Sequence, residues 1–156
     1  MVDWAKLAAA IIICELAGGI GAIFTTPNIP TWYASLIKPD FSPPNWVFFP
    51  VWTLLYFLMG VSLYLIWNRK RTPGTEKGIK LFGLQLFWNV WWSYLFFGLQ
   101  NPFLGFIGII ALWISIVLTM RKFYSIERNA AYLLVPYILW VSFAAVLNFS
   151  VWQLNG

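Results

Sequence analysis

Residues 38–67 read KPDFSPPNWVFFPVWTLLYFLMGVSLYLIW. From Pro44 onward no residue is charged, and the run is as long as the roughly 17–25 residues a helix needs to cross the hydrocarbon of a bilayer. A plain anchor would need neither the prolines nor the tryptophans that crowd its beginning. Pro39, Pro43, Pro44 and Pro50, with Trp46 and Trp52, suggest that something beyond anchoring is built there.

The same charge-free signature recurs along the chain, as LFGLQLFWNVWWSYLFFGL from Leu81, FLGFIGIIALWISIVLTM from Phe103 and AAYLLVPYILWVSFAAVLNFSVW from Ala130. With a first run that carries only Glu15 at depth, the pattern predicts five membrane-crossing helices near residues 5–26, 44–68, 78–99, 102–122 and 130–152. Strand-type alternation is absent, so the predicted fold class is an all-α membrane protein, a five-transmembrane-helix bundle without a soluble domain. The first run resembles a signal peptide in position, but it continues past Gly18 and Gly19 and no cleavage site follows.

Of 156 residues, 61% are hydrophobic and only 10% charged, which a soluble domain of this length could not bury. The single cysteine, Cys14, allows no internal disulfide. Histidine is absent altogether. That excludes a histidine-based metalloenzyme and a Ser-His-Asp hydrolase, and no metal or cofactor is expected. The net charge of +5 lies between apolar runs and not along an amphipathic face, so no nucleic-acid partner is expected either. Five spans would put Lys6, Arg69, Lys70, Arg71, Lys77, Lys80, Arg121, Lys122 and Arg128 on one side and Lys38 alone on the other. The positive-inside rule then makes the N-terminus cytoplasmic and places the first loop, the Gln100–Asn101 turn and the C-terminus outside.

Among the eleven tryptophans, Trp4, Trp32, Trp46, Trp67 and Trp152 fall near segment ends, where an interfacial belt accounts for them. Trp52, Trp88, Trp91, Trp92, Trp113 and Trp140 lie deeper. Gln85, Asn89 and Ser93 share one face of the third helix, and in hydrocarbon that face must turn inward, either as interhelical glue or as part of a site. Trp140, Ala144 and Asn148 repeat the spacing on the fifth. From the helical rise, Trp52 lies about 12 Å, Asn89 about 15 Å and Trp140 about 18 Å from the outer ends of their helices, so they can meet at one level. The arrangement predicts an aromatic-walled cavity that opens toward the first loop.

Pro50 and Pro136 are expected to bend the second and fifth helices beside that cavity. The segment 27–43 is long for a connector and reads either as a lid or as an interfacial loop held by Trp32 and Tyr33. Glu15, among Ala17, Gly18, Gly19 and Gly21, is unassigned, with its small neighbours pointing to a close helix contact. A retinal-type pump would need a buried lysine, and a proton path more buried carboxylates than this one.

Three long motifs carry a resemblance: WYASLIKPDFSPPNWVFFPVWTLLYFLMG from Trp32, QLFWNVWWSYLFFG from Gln85 and LVPYILWVSFAAVLN from Leu134. The chain resembles the TspO/MBR family, which includes the mitochondrial translocator protein, once called the peripheral benzodiazepine receptor, and the bacterial tryptophan-rich sensory proteins. The resemblance implies a single transmembrane domain over residues 1–156, often a homodimer, in a membrane that for this chain is expected to be the prokaryotic cell membrane. It further implies that porphyrins such as protoporphyrin IX, sterols and benzodiazepine-site ligands bind beneath the first loop. The family's pocket positions correspond to Tyr33, Pro43, Trp52, Asn89, Trp140 and Ala144, and the helical stripe adds Asn148. The implied role is that of a sensor, scavenger or transporter. Alternatively, the resemblance implies a light- and oxygen-dependent porphyrin-degrading enzyme in which Trp52 and Trp140 are the catalytic residues. The animal cholesterol motif near the end of the fifth helix is incomplete, since Phe149 and Gln153 stand where it has tyrosine and arginine. A loose match to the same pattern, Val61–Tyr64–Arg69, occurs on the second helix.

Overall fold

In the computed structural model, which describes residues 1–156, the chain is helical and contains no strand. The helices are α1 (Trp4–Thr25), α2 (Phe48–Trp67), α3 (Pro73–Ser93), α4 (Pro102–Ile126), α5 (Arg128–Leu133) and α6 (Val135–Asn155). Only 38 of 156 residues are buried. The apolar surface left outside is of a kind that lipid covers and water would not. The protein is therefore an integral membrane helical bundle. Four helical segments are long and apolar enough to cross a bilayer: Trp4–Tyr33, Asn45–Trp67, Pro102–Ile126 and Arg128–Asn155. α3 is long enough but less apolar, because it opens on PGTEKGIK and carries Gln85, Asn89 and Ser93, all three buried.

α1 packs on α2 and α3, α4 packs on α3 and α6, and α5 packs on α2 and α4. The long helices thus form a ring in the order α1, α2, α6, α4, α3. α2 and α6 scarcely meet, and α5 joins them at one end only. The α1–α2 contact is close because Gly60 faces the α1 backbone: a Cβ there would lie 2.5 Å from Ile11 Cα. Gly18 likewise receives the Tyr56 ring. Glu15 is half-buried beside this contact and pairs with no cation.

The proline-rich segments differ from expectation. Helical structure continues beyond α1 through a 3-10 turn, Thr26–Asn28, and a π turn, Ile29–Tyr33, so much of the segment 27–43 is no loop. Pro27 and Pro30 open these turns, where no N–H is required. Asn28 and Thr31 donate to the Phe24 and Pro27 carbonyls at 2.7 and 2.9 Å. Pro50 falls in the first turn of α2, directly after a 3-10 turn at Asn45–Val47, so its missing N–H breaks no helical bond and gives no reason for a bend. Pro136 is the second residue of α6, and the expected single helix is divided at Leu134 into α5 and α6.

Candidate functional site

The polar face of α3 turns into the bundle and finds partners. Tyr56 Oη donates to Asn89 Oδ1, Asn89 Nδ2 donates to Tyr137 Oη at 2.7 Å, and Tyr137 Oη donates to Gln85 Oε1 at 2.8 Å. Gln85 Nε2 approaches Met59 Sδ at 3.8 Å. These side chains are buried and tie α2, α3 and α6 together where no water can substitute. The Asn89 amide is thereby committed to two tyrosines whose rings lie against Trp52, with centroids 5.7 Å (Tyr56) and 6.3 Å (Tyr137) away. Asn148 is committed elsewhere: it accepts from Trp92 Nε1 at 3.0 Å and donates to the Pro102 carbonyl at 2.8 Å. The stripe Trp140, Ala144, Asn148 therefore does not present its amide beside its ring.

Aromatic rings form an arc on the loop side of this network. Trp52 stacks on Trp92 (6.3 Å) and Trp92 on Phe96 (5.8 Å). Phe96 meets Tyr33 (6.3 Å), Tyr33 meets Phe48 edge-on (6.5 Å) and Phe48 meets Trp140 edge-on (6.1 Å). Tyr33, Trp52 and Trp140 are thus brought into one arc, with Ala144 buried one turn beyond Trp140. Trp32, read from its position as belt, instead packs on Phe96 and Phe97, whereas Trp91 and Trp113 reach the outer surface.

Next to the arc, a groove of about 380 Å³ lies between α2 and α6, lined by Val51, Leu55, Pro136, Trp140 and Phe143 among others. It opens sideways, past the exposed Leu54 and Leu139. The chain forms a cleft here because α2 and α6 stand apart and only side chains fill the interval. Two buried donors on this side have no partner, Tyr33 Oη and Trp140 Nε1. Both rings flank Phe48. A buried donor without a partner costs about 1–3 kcal/mol, so a native fold that keeps two of them on rings that both pack against Phe48 calls for an explanation.

The segment above is held down. Lys38 Nζ donates to the Tyr33 and Leu36 carbonyls at 2.7 and 3.1 Å and sits 4.7 Å over the Tyr33 ring. Ile37 N donates to Asn155 Oδ1 at 3.0 Å and Asn155 Nδ2 donates back to the Ile37 carbonyl at 2.8 Å. Pro43, half-buried, follows in the stretch that leads into α2, and Ser42 faces Tyr33 without completing a hydrogen bond.

The sequence model of the TspO/MBR family matches residues 10–153. The chain is 46% identical over 156 residues to the tryptophan-rich protein TspO of Archaeoglobus fulgidus, covering 97% of both chains. It is 43% identical to the TspO of Chlorobaculum tepidum (96% of this chain, 95% of that one) and 36% identical to the human translocator protein (87% and 82%). The chain belongs to the TspO/MBR family.

For this TspO/MBR protein, sequence reasoning missed Phe48, Tyr56, Trp92, Tyr137 and Lys38 as parts of the site. Helical spacing held a signal for two of them, since Tyr56 is one turn from Trp52 and Tyr137 one turn from Trp140. In the loose sterol-type match on α2 the tyrosine is not accessible: Tyr64 is buried with its hydroxyl accepting from Asp3 N at 3.1 Å, and Arg69, though exposed, is paired with Glu127.

Proposed function

We propose that this protein is a membrane tetrapyrrole receptor that admits a porphyrin such as protoporphyrin IX from the bilayer through the α2–α6 cleft and holds it under the first loop. The observation that carries the reading is the pair of unpartnered buried donors, Tyr33 Oη and Trp140 Nε1, on an aromatic wall beside that cleft. A porphyrin is flat, apolar and edged with carboxylates, so it stacks on indole and phenyl faces while its acceptors take the two donors. The cleft is at the small end of the range for small-molecule sites, roughly 300–1,000 Å³, and Phe48, wedged between Tyr33 and Trp140, is the side chain that yields. Asn89 serves from beneath by fixing Tyr56 and Tyr137 behind Trp52. In this reading Pro43 and Ala144 would border the space that the bound porphyrin occupies, and Asn148 braces α4 and Trp92.

Sensor, scavenger and transporter are the roles this site supports, and the relatives' printed names favour sensing and translocation. The reading includes α3 as a fifth crossing, an N-terminus in the cytoplasm and a homodimer. It leaves sterol to a mode other than the incomplete motif at Phe149 and Gln153. Dark titration with protoporphyrin IX in detergent tests it: saturable binding, weakened about tenfold in Trp140→Ala, is expected. Uptake that follows only the amount of detergent would sink it.

One observation favours the degradation reading as a second possibility. Trp52 stacks on Trp92 and lies against Tyr56 and Tyr137, so an indole cation formed when Trp52 gives one electron to a photoexcited porphyrin is shared over neighbouring rings. Dioxygen takes that electron from the reduced porphyrin as superoxide, which adds to the macrocycle, and the adduct returns one electron to the indole cation. The net change is porphyrin plus dioxygen to an oxygenated, ring-opened product, and Trp52 is regenerated. Light-dependent loss of the porphyrin spectrum in wild type, abolished in Trp52→Phe with dark binding intact, is the expected result; bleaching no faster than that of free porphyrin rejects it.

A further inference from the structure

The end of the bundle away from the tryptophan arc holds a second groove, of about 370 Å³, between α4 and the α5–α6 junction. Its lining is Met120, Arg121, Tyr124, Ala131, Tyr132 and Val135. Arg121 lies about 8 Å, five residues, inside the end of α4. Leu118 and Ile114 continue its face toward the middle of the bilayer, and both are exposed. Tyr124 and Tyr132 meet edge-on at 6.1 Å across the groove, and the Arg128 guanidinium lies 5.2 Å over the Tyr124 ring.

The charges here are unbalanced in a specific way. The three acids at this end are taken: Asp3 by Lys6, Glu76 by Arg71 and Glu127 by Arg69. Arg121, which lines the otherwise apolar groove, and Arg128, which lies over its Tyr124 ring, have no carboxylate partner. The positive-inside rule explains which side they are on, but not why they crown a groove that runs into a lipid-facing stripe.

We propose that this groove binds an anionic phospholipid, with its phosphate on Arg121 and Arg128 and one acyl chain laid over Met120 and Val135 toward Leu118. Three features select that ligand. Two free guanidiniums match a phosphate that carries net negative charge. No carboxylate is available to receive an ammonium headgroup, and Arg128 already covers the Tyr124 face that a choline would use. The apolar floor, level with the outer part of the hydrocarbon, fits a chain and gives nothing to a free anion.

The test titrates delipidated, detergent-purified protein with phosphatidylglycerol, with phosphatidylcholine of the same chains and with inorganic phosphate, counting bound lipid by native mass spectrometry. Wild type is expected to retain one phosphatidylglycerol in preference to phosphatidylcholine. The preference is expected to fall about fivefold in Arg121→Gln and again in Arg128→Gln. Lys77→Gln, which removes a charge from the same end outside the groove, is expected to leave it unchanged. Equal retention of the two lipids by wild type overturns the proposal. So does an effect of Lys77→Gln as large as that of Arg121→Gln, which would mean a diffuse field, or displacement of the lipid by inorganic phosphate, which would mean a simple anion site.

Discussion

The two ends of this bundle are built on opposite principles. Toward the N-terminus, α1 and α2 approach through Gly60 and Ile11, and small, aliphatic and tyrosine side chains such as Ala10, Cys14, Met59, Leu112 and Tyr137 form one continuous buried core. Polar groups there are paired: Ser62 Oγ donates to the Ala130 carbonyl at 2.7 Å, and Asn89 closes the tyrosine network. Toward the first loop, the buried cluster shrinks to Tyr33, Phe96, Phe97, Leu147 and Val151, α2 and α6 part, and two buried donors have no acceptor. The difference shows where the fold is secured and where it is left incomplete. Close-packed and satisfied structure resists change, whereas an aromatic wall with unmet donors gains by receiving something.

That contrast ranks substitutions. Gly60→Leu should have the largest effect, because the new side chain meets the Ile11 backbone and no rotamer relieves the clash; a loss of about 3 kcal/mol or more, or failure to fold, is expected in thermal unfolding. Asn89→Leu comes second. It strips the partner from Tyr56 and one of two from Tyr137, for an expected loss of about 1–2 kcal/mol. Stability unchanged in Asn89→Leu would break the comparison, since the network would then not be what secures that end.

How far the sequence foretold this arrangement depends on the element. Charge-free runs located the helices, and the spacing of Gln85, Asn89 and Ser93 foretold an inward face, which is buried as expected. The amides' partners were not legible, because a tyrosine in an apolar run reads the same whether its hydroxyl caps an asparagine or faces a headgroup. Asn148 misled for a related reason. Spacing puts it below Trp140, but its amide turns to the start of α4, where Gly105 makes room: a Cβ at that glycine would lie 3.1 Å from Asn148 Oδ1. Pro50 misled because a proline's meaning depends on register. It interrupts a helix only from the interior, and Pro50 stands in a first turn, whereas Pro136 directly follows the break at Leu134 that divides the fifth segment. The direction in which the cleft opens is set by which helices stand apart, and no local pattern encodes that.

Trp140→Phe separates the two ends most directly. It removes a buried donor that has no partner while keeping an aromatic ring, so the unfolding midpoint should move by no more than the equivalent of about 0.5 kcal/mol, and upward if at all. Porphyrin affinity should nevertheless fall about fivefold, less than in Trp140→Ala, which loses the ring as well as the donor. A marked loss of stability with affinity unchanged would mean that the indole N–H is satisfied in the membrane by something other than a ligand, and that the arc is packing.

The smallest effect should come from the clasp over the cleft. Asn155 closes two reciprocal hydrogen bonds with the Ile37 backbone and a third to the Val151 carbonyl at 2.8 Å, all near the surface. Surface polar contacts contribute little to global stability, so Asn155→Ala should shift unfolding by less than about 0.5 kcal/mol. Its consequence is local. The stretch from Leu36 to Pro44 would remain tied by Lys38 at its start and by the contact of the Phe41 ring with Phe143. Both porphyrin entry and release should quicken a few-fold while the equilibrium affinity barely moves, as happens when a barrier is lowered without changing the end states. Amide exchange at Ile37 should rise in parallel. Unaltered exchange kinetics in Asn155→Ala would mean that the ligand passes wholly through the α2–α6 opening without disturbing the segment above, and the contrast between the ends would then rest on the cleft alone.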